Sequence, residues 1–87
     1  MPAIFTVDPH SGVPIYLQLV EQVKRSIALG VLAPGEQLPT VKQLATDLTL
    51  NPNTVARVYR ELERDGVIVA GRAQRIERHR FVGLNRL

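Results

Sequence analysis

The stretch NPNTVARVYRELERDG, residues 51–66, has a start, two faces and an end like those of a complete helix. Asn51 is a favoured N-cap residue, because its side-chain oxygen accepts a backbone N–H of the first turn. Pro52 suits the first helical position, where a missing N–H costs nothing. Gly66 fits the left-handed position that closes many helices. The sequence therefore predicts a helix over residues 51–65.

The two faces of this predicted helix differ in character. Four apolar side chains recur at helical spacing and form one stripe: Val55, Val58, Tyr59 and Leu62. Four polar side chains fall roughly opposite, at about 100° per residue: Asn53, Arg57, Arg60 and Arg64. One interpretation is a solvated outer face, with Arg57 and Glu61 as an i,i+4 ion pair. The other is a surface that binds a partner, and the flanking sequence must distinguish the two.

Two further helices are predicted before this one. Residues 14–29 carry apolar side chains at every fourth position, and Gly30 ends the pattern. Residues 41–48 form a shorter helix, because Thr40 and Gln43 have the spacing of a capping box. Only a short turn then separates this helix from Asn51. A short helix joined tightly to a capped helix is the arrangement of a helix-turn-helix.

Short strands are predicted on both sides of the helices. Residues 1–12 form an N-terminal arm, in which AIFTV (3–7) is typical of a short strand. Residues 67–69 are β-branched, and residues 75–82 can return as a second strand after a turn at Gly71. A hairpin after the third helix is a wing. The predicted fold is mainly α with a small β-hairpin, a winged helix-turn-helix.

This fold gives the polar face a function. The second helix of a helix-turn-helix enters the DNA major groove with its N-terminal residues at the base edges, where Asn reads adenine and Arg reads guanine. The start of the helix before it presents backbone N–H groups to phosphate. The placement predicts these contacts to double-stranded DNA: Asn53, Arg57 and Arg60 on the third helix, Lys42 on the second, and Arg72 and Arg75 at or near the wing tip.

The charge distribution supports a polyanionic partner. The chain has 87 residues and a net charge of +3. Residues 1–56 carry a net charge of −1, whereas residues 57–87 hold eight arginines against four acidic residues, a net of +4. Arginine is a planar donor suited to phosphate and to guanine edges. An Arg-rich surface without any binding role is the other explanation of these counts.

The sequence lacks the motifs that are typical of several other classes of protein. The chain has no cysteine, and His10 and His79 have no ligand-like spacing, so we predict no disulfide, metal site or cofactor. No catalytic motif is present, so we predict that the protein is not an enzyme. No apolar run approaches the roughly 20 residues of a membrane span, and the N-terminus is unlike a secretory signal. A cytoplasmic location without membrane contact is the expectation.

The predicted second and third helices carry a family resemblance. PGEQLPTVKQLA (34–45) and the stretch 51–66 closely resemble the winged-helix domain of GntR-family transcription regulators, and FTVDPHSGVPIYLQ (5–18) resembles that of the YtrA-like branch. The likeness extends over about residues 4–69. It implies a bacterial dimeric repressor that binds a palindromic operator. The DNA contacts that the resemblance implies are Thr40, Lys42, Asn51, Asn53, Thr54 and Arg57.

The chain also departs from that family. Its AGRAQRIERHRFV (70–82) differs from the usual Arg-Gly-x-Gly-Thr-Phe-Val wing, so the expected wing is atypical. We therefore divide the chain into an arm (1–12), a winged helix-turn-helix (13–82) and a tail (83–87). The family's C-terminal dimerisation or effector domain is expected to be absent, and no effector site is predicted.

The sequence is compatible with alternatives on three points. We expect apolar side chains of the arm and tail either to pair within one chain or to form a small symmetric contact in a homodimer. The alternative is that the arm packs under the first helix and the tail frays, which leaves a monomer that dimerises only on DNA. A winged helix can also be a protein-interaction module, with its third helix docked on protein. A truncated, non-functional regulator fragment is a further alternative.

Overall fold

The third helix packs against most of the other described elements. The computed structural model describes residues 5–69 and 75–76. Within these residues the elements are α1 (Ile15–Ala28), α2 (Val41–Leu48), α3 (Pro52–Arg64), β1 (Ile68–Val69) and β2 (Arg75–Ile76). α3 contacts α1, α2 and β1, and all four residues of its apolar stripe are buried. The predicted winged helix-turn-helix is confirmed.

Both ends of α3 follow the local signals of the sequence. Asn51 caps the start, with its Oδ1 accepting the backbone N–H of Asn53 at 2.8 Å. At the other end Gly66 adopts a φ of 74°. Its N–H donates to the carbonyl of Glu63, and the N–H of the next residue donates to Leu62. This pair of bonds is the Schellman motif, which satisfies carbonyls that the helix leaves unpaired.

The start of α2 is held by a capping box, as predicted. The Thr40 hydroxyl accepts the backbone N–H of Gln43 at 3.1 Å, and the Gln43 side chain accepts the N–H of Thr40 at 2.9 Å. The C-cap residue of α2 is Thr49, which has φ 55° and ψ 50°. The chain then reaches Asn51 through Leu50, so the turn between α2 and α3 is as short as predicted.

The arm packs on α1 without forming a strand. Gln22 exchanges hydrogen bonds with both backbone groups of Thr6, and Gln18 does the same with Asp8. Phe5 is only 2% exposed and belongs to the main core. The predicted strand is therefore wrong over residues 5–7, because glutamine side chains supply the partners that a neighbouring strand would have supplied.

The wing begins as an antiparallel pair of strands. Ile68 lies opposite Ile76, and Val69 lies opposite Arg75. β2 also bonds to the loop between α1 and α2, where the Gly35 N–H donates to the Ile76 carbonyl at 2.8 Å. This second pairing was not predicted, and it ties the wing to the segment that leads into α2. The remainder of the predicted second strand lies outside the described residues.

The observed bounds of α1 differ from the prediction by one residue at each end. Pro14 lies at the N-cap with an extended backbone, ψ 144°, so the helix begins at Ile15. Gly30 has a φ of 78° and follows the C-cap residue Leu29. The prediction that Gly30 ends this helix is therefore confirmed.

Thr49 offers a test of how the short turn is stabilised. A residue with a Cβ costs about 1–2 kcal/mol in the left-handed region, and threonine is β-branched as well. Glycine adopts this conformation without that cost. Its greater loss of conformational entropy on folding, however, lowers the free energy of unfolding by about 0.5–1 kcal/mol. We therefore expect Thr49→Gly to raise the free energy of unfolding by about 0.5–1 kcal/mol in chemical denaturation.

Thr46→Gly is the matched control, since Thr46 is an exposed residue inside the same helix. There glycine brings only its entropic cost, so we expect the stability to fall. Loss of stability in both variants would show that the conformation of Thr49 carries no strain.

Candidate nucleic-acid interface

The start of α2 and the start of α3 each expose hydrogen-bond donors. Thr40 uses its oxygen as an acceptor in the cap, so its hydroxyl proton is left to donate. Asn51 uses Oδ1 in the cap, which leaves its NH₂ group as a donor. Helix N-termini also carry partial positive charge from their backbone dipoles. Both ends are therefore suited to anions.

The structure gives the surroundings of eight of the nine predicted DNA contacts. Thr54 is half-buried, and the other seven described residues are exposed: Thr40, Lys42, Asn51, Asn53, Arg57, Arg60 and Arg75. Arg72 lies outside the described residues. Asn53, Arg57 and Arg60 follow one another on the side of α3 opposite the buried stripe, as the helical spacing predicts.

Positive charge is divided unevenly along α3. Near the C-terminal end, Arg64 bonds Glu61 at 2.5 Å, and Lys24 of α1 bonds Asp65 at 3.1 Å. These cations are neutralised by neighbours. Arg57 and Arg60, by contrast, form no ion pair with any residue in 5–69 or 75–76. The uncompensated charge therefore lies on the N-terminal two-thirds of the helix.

The ion pair between Arg57 and Glu61, which belonged to the interpretation of a solvated outer face, does not form. Glu61 turns to Arg64 instead, while the Arg57 guanidinium lies over the ring of Tyr16, with its Cζ 3.6 Å from the ring centroid. An arginine over an aromatic face is attracted by the ring quadrupole. Arg57 is thus held toward α1 without losing its charge.

Tyr59 fixes α2 relative to α3. Its hydroxyl donates to the carbonyl of Pro39 at 2.5 Å, directly before the Thr40 cap. The ring is otherwise enclosed, and this burial raises the pKa of Tyr59 above its usual range. The sequence had assigned Tyr59 only to the apolar stripe. Its hydroxyl in fact joins the start of α2 to the middle of α3.

Arg75 is the first residue of β2. Its Nη1 donates to the carbonyl of Gly35 at 3.3 Å. This bond uses one of the five N–H donors of the guanidinium, and the other four make no hydrogen bond to residues 5–69 or 76. Arg75 therefore lies close to the segment that leads into α2.

Sequence reasoning missed two side chains of this surface, Tyr16 and the hydroxyl of Tyr59. Their partners, Arg57 and Pro39, lie on other elements, and Pro39 is 20 residues from Tyr59. Both tyrosines also occur at apolar positions of their helices, where a hydrophobic role explains them fully. No local pattern in the sequence distinguishes these contacts.

Residues 5–69 and 75–76 contain no helix that is long and apolar enough to cross a membrane. The same residues bring together no group of three His, Cys, Asp or Glu side chains that could hold a metal ion.

A short helix, a tight turn, a second helix with an exposed polar face and a following hairpin define a winged helix-turn-helix protein. Residues 15–77 match the family described as "Bacterial regulatory proteins, gntR family". The chain therefore belongs to the GntR family, and the resemblance of its two helix blocks to that family is confirmed.

Individual relatives agree with this assignment. The HTH-type transcriptional repressor YtrA of Bacillus subtilis is 48% identical over 62 residues, which cover 71% of this chain and 48% of the relative. The solved YtrA from Sulfolobus acidocaldarius, a GntR-family transcription factor, has a TM-score of 0.80 and 36% identity, over 84% of this chain and 64% of that one. The chain spans about half the length of the curated relatives it matches.

A structure of AraR(DBD) in complex with operator ORX1 is also similar, with a TM-score of 0.71 over 85% of this chain and 94% of that one. Its sequence identity is 19%, so this likeness concerns the fold alone.

The Tyr59 hydroxyl leads to a pH prediction. The folded state holds this phenol neutral at pH values where the unfolded chain, with a tyrosine pKa near 10, ionises. The contribution of Tyr59 to the free energy of unfolding is therefore fully present below about pH 10 and declines as the pH rises further. We expect Tyr59→Phe to lose about 1 kcal/mol of stability at neutral pH through the missing hydrogen bond.

Denaturation of both proteins between pH 8 and 11 measures the effect. The wild-type free energy of unfolding should fall more steeply above pH 10 than that of Tyr59→Phe, so that the difference between them narrows. Parallel curves would contradict the assigned state of Tyr59.

Proposed function

We propose that this chain is a sequence-specific DNA-binding domain of a transcription regulator, with α3 in the major groove and the start of α2 on the phosphate backbone. The observation that carries the proposal is the charge on α3. Arg57 and Arg60 have no ionic partner among the described residues, whereas the cations near its C-terminal end are paired. Cations without an ionic partner in the protein are available to contact phosphates or base edges.

In this proposal the residues on the exposed face of α3 contact the bases. Asn53 lies in the first turn, and Arg57 and Arg60 follow one and two turns later. The major groove admits an α-helix, and amide and guanidinium groups match the edges of adenine and guanine there. Asn51 and Thr54 flank Asn53 and complete the set at this end.

Residues at the start of α2 and in the wing contact the phosphates. Thr40 and Lys42 are exposed in and beside the first turn of α2, where the helix dipole favours an anion. Arg75 approaches the same region because it bonds Gly35 in the preceding loop. Arg72, for which only the sequence position is known, is the remaining candidate in the wing.

The finer proposal is a dimeric cytoplasmic repressor that binds a palindromic operator. Two helix-turn-helix domains bind half-sites spaced by about one turn of DNA, so a two-fold symmetric site matches a two-fold symmetric dimer. Repression is inferred from the name of the Bacillus subtilis relative YtrA. Packing of Phe5 in the core removes one of the apolar side chains that a contact between arms would have used.

Selection of bound duplexes from a random DNA pool tests the proposal. We expect a consensus with two-fold symmetry, whose half-site spacing also reports the dimer. Arg60→Ala should weaken the enrichment, and Arg25→Ala, which removes an exposed arginine from α1, should leave it unchanged. A pool without enrichment would overturn the proposal and favour a protein partner for α3. Enrichment without symmetry would overturn only the dimeric operator.

Asn53 tests direct base readout. Its side chain is exposed in the first turn of α3, where a bidentate contact to adenine contributes about 1–3 kcal/mol of discrimination. We therefore expect Asn53→Ala to lose that amount for the selected duplex and almost nothing for a scrambled duplex of equal length, measured as two dissociation constants. Equal losses for the two duplexes would make Asn53 a positioning residue.

Lys42 tests the phosphate contact. Each neutralised phosphate releases counterions, so its loss lowers the slope of log affinity against log salt by about one unit. We expect this change for Lys42→Ala with every DNA sequence. The control is Lys24→Ala, since Lys24 is paired with Asp65 on another part of the surface. A slope that stays the same in Lys42→Ala would exclude this contact.

A further inference from the structure

The contact between Tyr16 and Arg57 joins α1 to the exposed face of α3. The Arg57 Cζ lies 3.6 Å from the centroid of the Tyr16 ring, well inside the 6 Å over which a cation is attracted to an aromatic face. Tyr16 belongs to α1, the helix that covers the core and holds the arm. Its ring also reaches one of the two uncompensated cations of α3.

This contact restrains Arg57 and leaves its hydrogen-bonding capacity available. A free arginine side chain loses much rotamer entropy when a ligand immobilises it, which lowers affinity. Stacking restricts the side chain before DNA arrives. Arg57 makes no hydrogen bond from its guanidinium to any described residue, so its five N–H donors can still reach a base or a phosphate.

The first turn of α1, which carries Tyr16, is held from two sides. Tyr16 is half-buried and packs against the core. Two residues later Gln18 binds the arm, with its Nε2 donating to the carbonyls of Asp8 and Val13 at 2.9 and 2.8 Å. The first turn of α1 is therefore fixed both by the core and by the arm, and it gives Arg57 a rigid support.

We propose that Tyr16 is a positioning residue that orients Arg57 for DNA recognition through its aromatic face. The proposal rests on the DNA-binding function proposed above, and it extends the specificity-determining surface to α1. The hydroxyl of Tyr16 is not needed for this role, because the cation is attracted by the ring.

Four proteins compared with the wild type test the proposal: Tyr16→Phe, Tyr16→Leu, Arg57→Ala and the double variant Tyr16→Leu/Arg57→Ala. Affinity is measured for the selected duplex and for a scrambled one. Tyr16→Phe should bind like the wild type. Tyr16→Leu should bind the selected duplex about threefold to tenfold more weakly, with little change for the scrambled duplex. In the Arg57→Ala background, Tyr16→Leu should have no further effect.

The outcomes separate this proposal from the function on which it rests. A wild-type protein that does not distinguish the two duplexes overturns the proposed function. Unchanged discrimination between the two duplexes in Tyr16→Leu overturns only the role of Tyr16. If Tyr16→Leu lowers the affinity for the selected duplex equally in the wild-type and Arg57→Ala backgrounds, the role of Tyr16 is overturned too. Tyr16 would then act through the stability of the fold and not through Arg57.

A measurement without substitution covers the case in which Tyr16→Leu does not fold. A ring current displaces the NMR signals of groups above an aromatic face. We expect the Arg57 side-chain signals of the wild-type protein to be displaced upfield, both free and bound to the selected duplex. Undisplaced signals in both states would overturn the proposal.

Discussion

The burial of one side of α3 is the constraint on which the rest of this structure depends. Val55, Val58 and Leu62 have no exposed surface, and α1, α2 and β1 all pack against the helix that carries them. A helix has one rotational setting, so fixing the buried stripe also fixes the opposite side. Asn53 and Arg60 reach solvent for this reason. The exposed face is thus oriented by core packing, which is stronger than contacts among exposed charges.

Two tyrosines connect this core to the polar surface at opposite edges of α3. Tyr59 bonds the carbonyl that precedes α2, and Tyr16 lies under a guanidinium of α3. Because each ring is anchored among apolar side chains, the rigidity of the interior extends to the groups proposed to meet DNA. Preorganisation of this kind lowers the entropy lost on binding. The paired charges near Asp65 leave the net positive charge of the helix at Arg57 and Arg60.

Local signals in the sequence were sufficient for the helices and insufficient for the contacts between them. The caps at Thr40 and Asn51 and the ending at Gly66 depend on neighbours within a few residues, so the pattern predicts them well. The arm failed as a strand prediction because Gln18 and Gln22 provide its hydrogen bonds, and those partners become neighbours only in the folded chain. The contact of Tyr16 with Arg57 could not be predicted for the same reason. The exposed polar face could be predicted, but its ionic pairing could not.

An NMR titration with the selected duplex tests most directly whether core packing presents the start of α3 to DNA. Tyr16 lies beside Arg57, and Lys24 lies beside Asp65, so α1 and α3 run in the same direction. We predict the largest signal changes at Asn53 and at Lys42. Leu29, which is exposed at the end of α1, should not change. Largest changes at Leu29, or changes of equal size over the whole surface, would contradict the account.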